Sequence, residues 1–242
     1  MTGVNDTRLG FFDALRGFTM ISMALFHGTY DLAYIYGVSI PWFVNGPVQD
    51  IWRASISWVF LFVAGWMCSV SHDNFKRSFK YAAAAFVVWI ATSVASVDNS
   101  INFGIIYCMA ACTLTFALTK PLLTNLPAYP TMAILLILFG LTWNIPHHIY
   151  DIPGLAWLGF PDAGFVSGDY YPLIPFIFMF LAGYMASRGL SKTDTAQAAS
   201  YLRWMYRHPF PALEALGRHA LPFYLIHQPL ILAVIDIAYS VL

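Results

Sequence analysis

The sequence predicts an all-α protein, a polytopic bundle of transmembrane helices, and three observations support this fold class. Hydrophobic residues make up 59 % of the 242 residues and charged residues only 10 %, whereas soluble domains carry roughly 25 % charged residues. The apolar runs are long enough to cross a bilayer as helices and lack the short alternating segments of a membrane β-barrel. Lys and Arg also collect on one side of the predicted topology, as the positive-inside rule requires.

About seven apolar stretches, each of roughly 17–23 residues, are predicted to span the bilayer. In chain order they cover 11–32, 52–71, 79–97, 104–119, 129–146, 172–189 and 219–241. The second, third and fourth spans are joined by short connections. Two connections are long, 33–51 and 147–171, and both are rich in aromatic residues.

Basic residues set the orientation. With seven spans, the N-terminus and the loops after spans two, four and six lie on one side of the membrane. On the other side, Arg53 is the single Lys or Arg residue. The residues on the basic side are Arg8, Arg16, Lys76, Arg77, Lys80, Lys120, Arg188, Lys192, Arg203, Arg207 and Arg218. We therefore expect a cytoplasmic N-terminus, with both long loops outside. The net charge is zero, so no nucleic-acid partner is expected.

The segment between spans six and seven is predicted to begin as an amphipathic helix on the cytoplasmic membrane surface. Leu202, Met205 and Tyr206 share one face of this helix by their 3–4 spacing. Pro209 and Pro211 are expected to end it.

Two predicted spans resemble each other. Residues 59–69 read VFLFVAGWMCS and residues 177–187 read IFMFLAGYMAS, and both run from outside to inside. The similarity indicates either duplication of a unit or convergence, because small and aromatic residues are common where membrane helices pack.

The first span carries polar groups at both ends. Arg16 and His27 are separated by ten residues, which on a helix is about 16 Å of rise and close to three full turns. They therefore project from similar faces at opposite ends of the span, a pattern that indicates a passage across the membrane. Arg16 is expected to pair with Asp13, to contact a ligand phosphate, or to serve only as a positive-inside anchor.

His27 is the candidate catalytic base. Asp31 lies four residues later and can touch it along a helix. A carboxylate that accepts one ring N–H fixes the imidazole tautomer and makes the other nitrogen more basic, as general base catalysis needs. Ionisable groups inside spans usually mark function, and an interfacial histidine bonded to a backbone carbonyl is the alternative.

Five pieces of the sequence carry a resemblance to a known family. They read FFDALRGFTMISMALFHGTYDL, FLFVAGWMCS, FGIIYCMAACTL, DYYPLIPFIFMFLAGY and LEALGRHALPFYLIHQPLIL, in order from residue 11 to residue 232. Together they resemble the catalytic domain of heparan-alpha-glucosaminide N-acetyltransferase and its short bacterial relatives. The first piece also resembles the first helix of integral-membrane acyltransferases, which carries an Arg, ten residues and then a His.

The resemblance implies a single transmembrane acyltransferase-like domain over 1–242, in the inner membrane of a bacterium. It would move an acetyl group from cytoplasmic acetyl-CoA to an amino sugar, glycan or glycolipid on the far side. Membrane lipids and a second copy of the chain are the other partners expected. The motif carries over to Arg16 as a donor-binding residue and to His27 as the catalytic residue. Lysosomal members tend to have Asn at the position of His27 and a His in the following loop, which here contains none.

A second histidine lies inside the last predicted span. His227 stands several turns from the cytoplasmic face, and Pro229 removes a backbone hydrogen bond nearby. We expect His227 and Gln228 to bind the pantetheine arm of the donor, or His227 to assist His27. Tyr224 lies four residues before Gln228 and can share this lining, and a histidine bonded only within the bundle is the alternative.

Asp169 and Tyr170 are candidate acceptor-binding residues on the outer side. Asp169 can accept hydrogen bonds from an amine or a hydroxyl, and Tyr170 and Tyr171 can stack on a sugar. Alternatively, the tyrosines form an interfacial belt and Asp169 caps the sixth span, with Pro172 in its first turn.

No metal site is expected. His147 and His148 lie close to Asp151, but no third strong ligand follows at helical spacing. Several basic residues are expected either to bind CoA phosphates or to attract anionic lipid: Lys76, Arg77, Arg188, Arg203 and Arg207.

The sequence thus predicts a membrane acyltransferase over two rival classes. In a secondary transporter of a sugar, lipid or proton, His27 and Asp31 would be relay groups and the two similar spans would reflect a carrier repeat. The third class is a membrane scaffold subunit without turnover.

Overall fold

The structure, a computed structural model, describes residues 9–191 and 203–241. Regular structure within these residues is entirely helical, so the predicted all-α class is confirmed. The helices are α1 Gly10–Tyr34, α2 Pro41–Val44, α3 Val48–Met67, α4 Asn74–Ala95, α5 Ile105–Leu123, α6 Ala128–Leu141, α7 Leu173–Ser191, α8 Pro211–Arg218 and α9 Ala220–Val241, with a short 3-10 turn at Ile145–His147.

Each predicted span coincides with a helix, although the boundaries differ by a few residues. The largest shift at a helix start is in α4, which begins at Asn74 rather than at residue 79. The side chain of Asp73 accepts a hydrogen bond from the backbone N–H of Lys76 at 2.8 Å. This cap adds a polar turn before the apolar run begins.

Five helical segments are long and apolar enough to cross a membrane: α4, α5, Ala128–His147, α7 and α9. The protein is therefore a membrane protein with five candidate spans in the described residues. α1 and α3 are not among the five, since Asp13, Arg16 and Asp31 interrupt α1 and Asp50 and Arg53 begin α3. That α1 and α3 cross the bilayer, and that the N-terminus is cytoplasmic, remain predictions.

The chain before α9 differs from its prediction. Residues 192–202, including Leu202 of the predicted amphipathic face, lie outside the described residues. Pro211 occupies the first turn of α8, a helix that was not predicted from the sequence. Proline suits this position because the first N–H groups of a helix have no partner within the helix.

The described contacts divide the chain into two compact units. Unit 1 comprises Met1–Phe60 and Asp194–Leu242, and unit 2 comprises Leu61–Thr193, with the boundary inside α3. The single domain expected over 1–242 stays a prediction.

In unit 1, α1 packs closely against α8 through a pair of glycines. A Cβ atom at Gly17 would overlap the backbone carbonyl of Leu213, and one at Gly217 would overlap the carbonyl of Asp13. Each helix therefore places a glycine where the other helix presents backbone, which lets the two axes approach closely.

The same side of α1 continues along α9 in a parallel direction. Beyond the glycine contacts, Gln228 donates to Asp31, and beyond the end of α1 the hydroxyl of Tyr36 donates to Asp236. The partners on α1 and α9 rise together in residue number, so these two helices run the same way, whereas the contacts of Gly17 with Leu213 and of Asp13 with Gly217 run in the opposite order, so α8 points against α1. This register decides which side chains of the two helices meet.

In unit 2, α5 packs against α4 and α7, and α6 packs against α7. The two similar sequence segments also pack against each other. Gly65 lies against the carbonyl of Phe180, and Gly183 lies against the carbonyl of Phe62. The contact is reciprocal, as a duplicated helix would give, and packing of small residues explains it equally well without common descent.

Candidate functional site

Four predicted site residues come together in unit 1. His27 and Asp31 lie one turn apart on α1, and His227 and Gln228 are neighbours on α9. The parallel register of the two helices brings these pairs side by side. The resulting cluster of two imidazoles, a carboxylate and an amide lies within helices that are otherwise mostly apolar.

The two imidazole rings contact each other. The ring centroids of His27 and His227 are 5.1 Å apart, with an angle of 58° between the ring planes. The Phe26 ring meets His27 edge-on at a centroid distance of 5.8 Å. His27 therefore lies against α9 and remains partly exposed.

His227 is buried, with 5 % of its surface exposed, and one of its nitrogens is assigned by its partner. Nδ1 lies 2.6 Å from the backbone carbonyl oxygen of Tyr224. A carbonyl only accepts, so the hydrogen sits on Nδ1, and in the neutral ring Nε2 carries the lone pair. Within residues 9–191 and 203–241, this buried Nε2 atom has no hydrogen-bond partner.

Asp31 has a partner on α9, and its predicted contact with His27 on α1 stays a prediction. Its carboxylate, 1 % exposed, accepts hydrogen bonds from Nε2 of Gln228 at 3.0 and 2.9 Å. The amide nitrogen of Gln228 must face the carboxylate, because its oxygen would be repelled there. That leaves Oε1 of Gln228 as a buried acceptor with no partner in the described residues.

Arg16 pairs with Asp13, which is the first of the three roles predicted for it. Its guanidinium forms an ion pair with Asp13, and its Nε donates to the carbonyl of Phe12 at 3.4 Å. The pair lies on the turn of α1 that packs against α8. Arg16 is half-buried there, so part of the guanidinium still reaches the surface.

Comparison with protein families decides the class of this protein. Residues 8–229 match the family described as Heparan-alpha-glucosaminide N-acetyltransferase, catalytic. The chain belongs to this family. The match takes in the clustered residues of α1 and α9, and membership makes the protein a membrane transferase of an acetyltransferase family. Searches among curated proteins and among solved structures each found no match.

The acceptor-binding residues expected in this acetyltransferase family member lie in unit 2. Oδ2 of Asp169 accepts a hydrogen bond from the backbone N–H of Ile105 at 3.2 Å. Asp169 therefore caps α5, a contact that was not predicted from the sequence. The loop folds back to the α5 N-terminus, where the helix dipole favours a carboxylate.

Tyr170 is anchored in the same loop region. Its hydroxyl donates to the carbonyl of Ala156 at 2.6 Å, and burial raises the pKa of the Tyr170 phenol. The hydroxyl therefore stays protonated as a donor. Tyr171 is buried, so Tyr170 has the more accessible ring of the two.

Two of the basic candidates stabilise helix ends. Arg188 donates to the carbonyls of Leu123 and Thr124 at 2.8 and 2.6 Å, at the C-terminus of α5. Arg77 donates to the carbonyl of Ala64 at 3.4 Å. The remaining candidates are exposed: Lys76, Arg203 and Arg207. Exposed cations are the better candidates for a mobile anionic ligand.

The described part of the chain contains no cluster of three His, Cys, Asp or Glu side chains able to hold a metal. In the predicted histidine pair, Nδ1 of His147 contacts the carbonyl of Trp143 at 3.0 Å. The two residues are four positions apart, so this contact satisfies a backbone carbonyl within one helical turn.

One polar contact beside the cluster of His27, Asp31, His227 and Gln228 was not predicted from the sequence. The hydroxyl of Tyr36 donates to Asp236, and this hydrogen bond raises the pKa of Tyr36 to about 12. Asp236 is the one acidic residue in the last apolar span. A lone carboxylate in a span is itself a signal of function, and it was available from the sequence.

Proposed function

We propose that this protein transfers an acetyl group from cytoplasmic acetyl-CoA to an amino sugar or glycan on the far side of a bacterial inner membrane. The observation that carries the proposal is the contact between the imidazole rings of His27 and His227, beside a buried His227 nitrogen that has no hydrogen-bond partner in the described residues. In an acetyltransferase family member, an imidazole inside the helices can supply the base that acyl transfer requires.

His27 acts as the general base. It takes the proton of the acceptor amine or hydroxyl while that group attacks the thioester carbonyl. Its contact with His227 on α9 fixes the ring orientation. Asp31 acts through Gln228, since the carboxylate orients the amide and leaves Oε1 to accept an N–H of the pantetheine arm.

The nucleotide of the donor stays at the cytoplasmic end. Arg16, at the start of α1, contacts the donor there, with the exposed cations Lys76, Arg203 and Arg207 drawing the anionic nucleotide to the surface. Asp169 and Tyr170 contact the acceptor on the outer side. A homodimer and bound membrane lipids remain compatible with this arrangement.

The test uses purified protein reconstituted in liposomes with labelled acetyl-CoA and a panel of amino sugars and glycolipid head groups. Wild-type protein is expected to release CoA thiol and to label an acceptor. The His27→Ala variant is expected to lose about 10²–10⁴-fold in rate, the usual contribution of a general base.

His147→Ala is the matched control, since His147 ends the Ala128–His147 segment and its Nδ1 contacts the carbonyl of Trp143 within its own helical turn. Its rate should equal that of the wild type. Absence of thiol release by wild-type protein with every acceptor, together with counterflow of a labelled solute, would show a transporter instead.

A further inference from the structure

We infer that His227 is a second catalytic residue, the acid that protonates the departing thiolate of the donor. This inference rests on the proposed function. It assigns separate roles to the two rings: His27 serves the acceptor, and His227 serves the leaving group.

The hydrogen-bond partners of His227 leave one nitrogen for chemistry. Nδ1 is occupied by the carbonyl of Tyr224 at 2.6 Å, so proton exchange with a substrate falls to Nε2. The Phe223 ring stacks on His227 with a centroid distance of 6.1 Å and an angle of 14°. One bonded nitrogen and one stacked face hold the ring in place, with Nε2 buried and unpartnered among the described residues.

Position within the cluster distinguishes the two histidines. His27 lies on α1 with the Phe26 ring edge-on against it, whereas His227 lies on α9 and is 5 % exposed. The neighbour of His227 is Gln228, whose buried Oε1 is the other unpartnered acceptor of the cluster. The α9 side of the cluster therefore fits the donor arm and its sulfur.

The proton balance of the reaction follows from this division. The acceptor nitrogen or oxygen forms a bond to the acetyl carbon, and the carbon–sulfur bond breaks with its electron pair on sulfur. The acceptor's proton passes to His27, from His27 to Nε2 of His227 across the ring contact, and from His227 to the thiolate. The products are the acetylated acceptor and CoA thiol, and both rings return to the neutral state.

Acetyl-seleno-CoA separates this role from a structural one. It keeps the nucleotide and the pantetheine arm, but its selenolate is a much weaker base than a thiolate and leaves without a proton. With acetyl-CoA, His227→Gln is expected to lose about 10²-fold in rate. With acetyl-seleno-CoA, the same preparation should lose about tenfold or less, because the step that needs the acid is bypassed.

The ratio of the two donor rates is independent of how much His227→Gln protein folds, since both rates come from one preparation. His219→Gln is the matched control, because exposed His219 also bonds a backbone carbonyl through Nδ1, that of Ala215 at 2.9 Å. For His219→Gln, the ratio of the rate with acetyl-seleno-CoA to the rate with acetyl-CoA should equal that of the wild type. His27→Ala should lose the same factor in rate with both donors.

Equal losses of His227→Gln with the two donors would overturn the role of His227 and leave the proposed function intact. Failure of wild-type protein to transfer acetyl from acetyl-CoA would overturn the proposed function, and with it this inference.

Discussion

Asp31 illustrates, at the scale of single residues, how a carboxylate is held among apolar helices. Its two oxygens share one amide donor, Nε2 of Gln228. A buried carboxylate without donors would be far more costly than a buried amide. The bond therefore stabilises the protein and also fixes the Gln228 side chain beside His227.

Replacing Gln228 tests this energetic role. Gln228→Ala removes a donor from a buried carboxylate and is expected to cost about 1–3 kcal/mol of stability. The measurement is the thermal midpoint in detergent at neutral pH. Gln49→Ala is the control, because Gln49 accepts a hydrogen bond from Tyr34 at an exposed position. Equal midpoints for both variants would contradict the stabilising role of the Gln228 amide.

The sequence identified these residues better than it identified their partners. Periodicity on one helix placed His27 and Asp31 together, and a polar group inside an apolar span marked His227. Gln228 bonds a residue 197 positions away, and nothing local in the sequence specifies the register of two distant helices. The partner of Asp169 was not predictable for the same reason, because the backbone N–H that it caps lies 64 positions away.

Glycine pairs set the packing at the scale of helices. The reciprocal contacts of Gly17 with α8 and of Gly183 with α3 each bring backbone against backbone. In the second pair, the hydroxyls of Ser69 and Ser187 also meet at 2.6 Å. Without a hydrophobic drive between helices in lipid, close packing and such hydrogen bonds supply the association.

Substitution of a packed glycine should therefore destabilise the protein. Gly183→Ala places a methyl group against the carbonyl of Phe62, and overpacking of this kind costs about 1–3 kcal/mol. Gly140→Ala is the control, because no atom lies within 4 Å of a Cβ atom there. Gly140→Ala should raise the thermal midpoint slightly, since alanine favours a helix by up to about 1 kcal/mol. A shift in the same direction for both variants would contradict this account.

Helix positions were predictable because the apolar runs are long, and the missed details have local causes. The cap at Asp73 extends α4 beyond its apolar run. The sequence does not mark the start of α8 unambiguously, because a proline such as Pro211 suits both the chain after a helix end and the first turn of a new helix. The packing of the two similar segments against each other depends on tertiary structure that composition alone does not determine.

At the scale of the whole molecule, the number of bilayer crossings, five or seven, decides whether His27 is reachable from outside. α9 is a candidate span, and the C-terminal part of α1 runs parallel to it from the His27–His227 contact to the Tyr36–Asp236 bond. We therefore expect α1 to cross the bilayer beside α9. The polar groups that lower the hydropathy of α1 are those paired within unit 1, namely Asp13 with Arg16 and Asp31 with Gln228.

Cysteine labelling distinguishes the two topologies at one position. Asn45, exposed between α2 and α3, lies outside the cell if α1 and α3 cross and inside if they do not. The native cysteines are free and buried, so an impermeant maleimide has little background. Asn45→Cys is expected to react in intact cells, like Val166→Cys in the outer loop, whereas Phe75→Cys at the start of α4 should react only after permeabilisation.

Protection of Asn45→Cys in intact cells, with Val166→Cys labelled, would place the α1–α3 connection in the cytoplasm. His27 would then lack an outer approach, and transfer to an extracytoplasmic acceptor at this residue would be excluded.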